Sequence, residues 1–206
     1  MMSGTSMDSL DCCICDIQIK KNMIFDFKII DKISFPFSND IIDKIRSYVY
    51  EINNDYQKLD NYLGKFFFNL SKNFISNYEV DCISSHGQTI VHIDKVKSLQ
   101  LGNPKYLCDY FGVPIVHNFR QKDIINGGNG APLMPYLDWL IFKKYKMNYL
   151  TINLGGIANI SFINENGSRD DILGFDVGPG MCLIDEYTNL KWNKLIDKDA
   201  KLSSSG

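Results

Sequence analysis

Side chains alternate between faces through residues 12–19 (CCICDIQI), and a second strand-like run spans residues 25–35. The period then changes. After Ser38 or Asn39, either able to cap a helix, Ile41, Ile45, Tyr48, Val49 and Ile52 recur at helical spacing. Asp55 can cap a second helix, in which Leu59, Leu63, Phe66, Phe67, Leu70 and Phe74 form a wide apolar stripe that reads as core. A short buried strand follows over residues 80–85, a short helix after Asn103-Pro104, a strand over 113–116 and a helix over 137–144. The last third predicts strands over 149–153 and 159–163 about the Gly155-Gly156 turn, then a third strand over 172–175. That strand is expected to end on Asp176, followed by Gly178, Pro179, Gly180 and a helix. The pattern is α/β.

Length and composition narrow the field. The 206 residues allow one large domain or two small ones, and 45% hydrophobic content can build a packed core. A net charge of −2 with scattered lysines argues against a nucleic-acid surface, which needs clustered cations. No apolar run reaches the ~18 residues of a membrane span, and MMSGTSMDS does not read as a signal peptide, so a cytoplasmic protein is expected. Of the six cysteines, Cys13 and Cys15 share one face of the first strand and Cys12 points away, while Cys82, Cys108 and Cys182 stand alone. Buried free thiols are expected, not a metal site.

Four places carry candidate chemistry. Gly4, Thr5 and Ser6 offer closely spaced backbone N–H groups and two hydroxyls that can cradle a phosphate, and Asp8 adds a carboxylate for a metal ion; the plain alternative is a polar turn. His86 and Gln88 sit at a strand end beside Gly87, where both can hold a polar ligand. Arg120 and Asp123, in an expected loop, can clasp a carboxylate and a hydroxyl, or form a surface ion pair. Asp176 is a carboxylate at an expected strand end. The first and last of these places echo one another as glycine-bearing hairpin, further strand and helix, which predicts two similar lobes.

With these residues in view, the chain resembles the anhydro-N-acetylmuramic acid kinase family, of the sugar-kinase, Hsp70 and actin superfamily. The matching stretches are MSGTSMDSLD at 2–11, SSHGQTIVH at 84–92, FRQKDIINGGNGAPLMP at 119–135, NLGGIANI at 153–160 and GFDVGPGMCLID at 174–185. The resemblance implies an actin-like ATPase (ribonuclease H-like) fold of two lobes, residues 1–146 and 147–206, the second incomplete and the first strand shortened. It implies ATP- and Mg²⁺-dependent opening and phosphorylation of 1,6-anhydro-N-acetylmuramic acid, a small-molecule substrate. Asp176 corresponds to the family's catalytic aspartate. Gly4, Thr5, Ser6, Met7, Asp8, Ser9, Leu10 and Asp11 correspond to its ATP-phosphate loop, with Asp8 toward Mg²⁺, and His86, Gln88, Arg120 and Asp123 would line the sugar side. Ser9, Val177 and Met181 depart from the residues usual there, and serine at 9 would add strain if that position needs positive φ. Homodimerisation is left open, and the rival reading is a non-catalytic remnant that at most binds sugar.

Overall fold

A computed structural model describes residues 1–4, 6–20, 23–50 and 52–205. The chain divides into two compact units, residues 1–130 and 131–206.

In the first unit β1 (Ser9–Lys20) and β2 (Met23–Pro36) form a long antiparallel hairpin. Before it, Met2 and Asp11 exchange both backbone hydrogen bonds at 2.8 Å, so the first residues act as a short strand antiparallel to β1. On its other side this stub runs parallel to the 84–88 segment: Ser3 bridges Gln88, Met1 N donates to Ser84 O at 2.8 Å, and His86 N donates to Met1 O at 3.0 Å. β3 (Ile83–Ser85) in turn pairs in parallel with β6 (Ile115–His117). β4 (Gln88–Ile93) and β5 (Lys97–Leu101) make a second hairpin that the sequence reading had not anticipated.

Helices α1 (Asn39–Val49) and α2 (Tyr56–Ile75) supply the core. Asp55 caps α2 as expected, accepting from Lys58 N at 3.1 Å. Ile41, Ile45, Tyr48, Leu59, Leu63 and Phe67 are buried together with Leu10 and Cys12 of β1, while Ile52, beyond the end of α1, is exposed. Each buried aliphatic or aromatic side chain contributes about 1.5–3 kcal/mol relative to exposure. α3 (Lys105–Phe111) ends on Gly112 in the left-handed region. α4 (Phe119–Ile125) occupies the stretch expected to be a loop, entered through Asn118 at φ 59°.

The second unit is a meander, β7 (Tyr149–Leu154), β8 (Ile157–Ile163) and β9 (Leu173–Pro179), all antiparallel. It has α5 (Met134–Phe142) and α6 (Cys182–Trp192). Each unit contains antiparallel strands, β1 with β2 in the first and β7, β8 and β9 in the second. The unit boundary at 130/131 lies before the expected lobe boundary at 146, because α5 belongs with the second sheet. There the buried Asp138 carboxylate accepts Thr151 Oγ1 of β7 at 2.6 Å and Ser161 Oγ of β8 at 2.7 Å. This unit has few buried side chains, and Leu150, Ile152, Leu154, Leu173, Phe175 and Val177 are exposed.

Burial was the wrong expectation for the cysteines. All six are free, Cys12 alone is buried, and the other five are exposed; within β1, strand alternation turns Cys12 toward the core and Cys13 and Cys15 away from it.

Candidate functional site

The two informative ends of the first unit meet through one buried side chain. Gln88 is fully buried at 0% exposure, as is Ser3. Gln88 Oε1 accepts from Ser3 Oγ at 2.6 Å, and Gln88 Nε2 donates to Gly4 O at 3.2 Å and Thr89 O at 3.2 Å. A residue expected to contact ligand therefore fixes the glycine turn to the strand end, a positioning role, since its polar atoms are committed inside the protein.

The turn itself is tight. Met7 N donates to Gly4 O at 3.1 Å, and Met7, not Ser9, carries the positive φ at 58°. Ser9 is the first residue of β1, so the strain expected there does not arise. Ser6 Oγ donates to Asp8 Oδ1 at 2.6 Å and Ser9 Oγ to Asp11 Oδ1 at 3.3 Å; Ser6, Asp8 and Asp11 are exposed, and Leu10 is a core residue. Thr5 lies outside the described residues. Among the described residues no group of three or more His, Cys, Asp or Glu could hold a metal ion. A single carboxylate suits Mg²⁺, which keeps waters and takes its other ligands from phosphate oxygens. The exposed Asp8 with its Ser6 hydroxyl fits that pattern.

His86 is 6% exposed, and its ring is oriented by two bonds. Arg120 Nε donates to Nε2 at 2.8 Å, which leaves Nδ1 protonated and donating to Gly87 O at 2.9 Å. Burial lowers its pKa below the usual imidazole value; the Arg120 charge pushes the same way, and the Gly87 bond opposes them. Arg120 and Asp123, one turn apart on α4, grip one residue from both sides: Arg120 Nη1 donates to Gly130 O at 2.9 Å, and Gly130 N donates to Asp123 Oδ2 at 2.8 Å. Gly130 holds φ 81°, and a Cβ there would meet Ile124 at 2.9 Å, so only glycine suits this grip.

A half-open cavity of about 240 Å³ lies beside His86, lined also by Asp60, Gln100, Gly102, His117 and Asn118. His86 is the one member of the expected sugar set on its wall. Arg120 and Asp123 stand behind it as the support of His86 and Gly130. Asp60 was missed by sequence reasoning because it sits in the polar stripe of α2; its Oδ1 accepts from Gly102 N at 2.8 Å and so holds the β5 exit against the helix. His92 is tied to Ser98 Oγ at 3.0 Å and Asp94 Oδ1 at 2.9 Å.

In the second unit Asp176 is exposed on β9, opposite Asn159. It is not at the strand end: β9 runs on to Pro179, with Val177 as an extra residue between the Ala158–Gly178 and Asn159–Asp176 pairs. Such a bulge re-aims neighbouring side chains. The strand continues because the Gly155-Gly156 carbonyls receive the start of α6, Met181 N to Gly155 O at 2.8 Å and Gly180 N to Gly156 O at 2.9 Å. A Cβ on Gly180 would collide with Gly155 O.

The whole chain, residues 1–206, matches the family profile described as anhydro-N-acetylmuramic acid kinase. Similar proteins of that name occur in Pelagibacter ubique (37% identical over 217 residues), Clostridioides difficile (34% over 220) and Shewanella sp. strain ANA-3 (32% over 224). Each comparison covers 100% of this chain and 57% of the relative, so the chain spans little more than half their length. No helix among the described residues is long and apolar enough to cross a membrane. Matched from end to end, through the Gly4 turn, the His86 strand end and the Asp176 strand alike, the chain belongs to the anhydro-N-acetylmuramic acid kinase family.

Proposed function

We propose that the chain carries the phosphate-binding and base-bearing portions of an ATP-dependent kinase that opens 1,6-anhydro-N-acetylmuramic acid and phosphorylates it at O6. The observation that carries this reading is the Ser3–Gln88 bond at 2.6 Å, which ties the Gly4 turn to the strand end presenting His86. A phosphate loop and a polar sugar wall would then be held at a fixed separation. The remaining features of the reading are an actin-like arrangement of two lobes and a cytoplasmic setting.

In this reading the Gly4–Asp8 turn, closed by the Met7 N–H bond to Gly4 O, faces the nucleotide phosphates as an anion cradle. Asp8, with Ser6, would hold Mg²⁺, which neutralises charge on the transferring phosphoryl group when bound. Asp176 accepts a proton from the water that attacks the anomeric carbon; the C1–O6 bond breaks, and O6 takes the γ-phosphoryl group in place of a proton as the bond from the γ-phosphorus to the β–γ bridging oxygen breaks and ADP leaves. His86, its two ring nitrogens held by Arg120 and Gly87, forms part of the wall against which the sugar would pack. Arg120 places a cation behind His86 for the lactyl carboxylate, and Asp123 holds Gly130 in place.

Calorimetric titration of MgADP into the chain tests the phosphate loop. Binding that weakens at least tenfold in Asp8→Asn and in Gly4→Val supports the reading; heats unchanged by either variant would overturn it. A second reading, sugar binding without turnover, rests on the cavity beside His86, whose wall carries the polar side chains of Asp60, Gln100 and Asn118. Its mark is sugar binding with no nucleotide dependence.

A further inference from the structure

Cys13 and Cys15 stand two residues apart on the outward face of β1, both exposed, with their Sγ atoms 3.3 Å apart. From these positions we infer that the two thiols form a modification site: a dithiol that closes reversibly to an intrastrand disulfide by exchange with a small-molecule disulfide of the glutathione class. Nothing in the phosphate-loop or sugar-site reading uses them, and the inference stands whether or not that reading holds.

The sulfurs need only close from 3.3 Å to the ~2.05 Å of a bond. Two residues along a strand span ~6.6 Å, at the long end of the ~4.4–6.8 Å range of Cα separations in disulfides. The closed form is therefore strained, and strained, exposed disulfides are the readily reduced ones. The backbone here is already irregular. Ile14 pairs with Asp31 but Cys15 pairs with Ile29, which leaves Ile30 as an extra residue in β2 and lets the hairpin bend at this point.

The roles within the pair differ. Partial burial and the hydrogen bond with Cys13 raise the Cys15 pKa to about 11, so Cys15 stays protonated while Cys13 reacts. The Cys13 thiolate attacks one sulfur of the small disulfide and expels one thiolate, leaving a mixed disulfide on Cys13. Cys15 then loses its proton and attacks the Cys13 sulfur, expelling the second thiolate. Two electrons pass from the pair to the small disulfide, and two small-molecule thiols result. Cys12 faces the opposite side, 3% exposed within the core and with its pKa raised to about 11 by burial, and takes no part. Cys82, Cys108 and Cys182, also exposed and free, serve as internal controls.

The test uses the whole reduced chain in oxidised glutathione, with intact mass, fragment mapping and counting of alkylatable thiols. Expected are a loss of two hydrogens mapped to Cys13–Cys15, two fewer alkylatable thiols, and full reversal by dithiothreitol. Cys15→Ser is expected to stop at a single glutathione adduct on Cys13, and Cys12→Ser to close normally. Stable adducts on both Cys13 and Cys15 without closure, linkage through Cys12, or no faster reaction at this pair than at Cys82 and Cys108 would each overturn the inference.

Discussion

Replacing Gln88 by leucine keeps nearly the same volume, so it removes hydrogen bonds without opening a large cavity. Three are lost: those to Ser3 Oγ, Gly4 O and Thr89 O. Gly4 O keeps its bond from Met7 N, so the main penalty falls on the Ser3 hydroxyl, which is 0% exposed. An orphaned buried group costs about 1–3 kcal/mol, and with the weakened carbonyls the total for Gln88→Leu is about 2–4 kcal/mol. Ser3→Ala strands Gln88 Oε1 and costs about 1–3 kcal/mol. The double variant strands neither, so its cost should fall short of the sum by about 1–2 kcal/mol. Both tryptophans, Trp139 and Trp192, lie in the second unit and would report the wrong transition. The assay is therefore hydrogen exchange of peptides covering residues 1–12 and 84–101 along a urea series. Additivity of the two single changes within about 0.5 kcal/mol would refute the coupling.

Three further outcomes are expected. His86 has a depressed pKa in the native state, so below about pH 6.5 the unfolded chain gains a proton that the folded one refuses. First-unit stability should be unaffected by this group at higher pH and fall as pH drops below that value; His86→Gln should flatten this limb of a urea–pH series. Asp138→Ala orphans the Thr151 and Ser161 hydroxyls and should destabilise the second unit by about 2–4 kcal/mol, read by tryptophan fluorescence, with peptides of residues 1–130 unchanged in exchange. Phe67→Ala should cost the first unit about 3–5 kcal/mol in urea midpoint, because the ring is 1% exposed at the centre of the core.

Local periodicity made the helical core legible. Ile41, Ile45, Leu59, Leu63 and Phe67 fall where a 3.6-residue repeat puts them, and α1 and α2 bury that face against β1. The meander around Gly155-Gly156 was also legible, because its turn glycines and alternating residues point the same way. What escaped depends on distant partners. α4 carries no apolar stripe and is held by Gly130 through Arg120 and Asp123, so its sequence reads as a loop. β9 passes Asp176 where the Gly155 and Gly156 carbonyls, distant in sequence, accept from Met181 N and Gly180 N at the start of α6. Gln88 looks like a ligand contact in isolation; its partner Ser3 lies 85 residues away and no local rule connects them. The cysteines were misjudged because composition favours buried thiols, whereas position decides each one: alternation along β1 buries Cys12 and exposes Cys13 and Cys15, and Cys82, Cys108 and Cys182 are exposed elsewhere in the chain.

The most direct measurement of the central claim is turnover. The chain is incubated with ATP, Mg²⁺ and 1,6-anhydro-N-acetylmuramic acid, and the products are resolved by mass spectrometry with ¹⁸O-water as solvent. The account predicts N-acetylmuramic acid 6-phosphate carrying one solvent oxygen at C1, and its loss in Asp176→Asn while MgADP binding persists. Sugar phosphate formed equally by Asp176→Asn, or no product from a chain that binds both MgADP and the sugar, would contradict it.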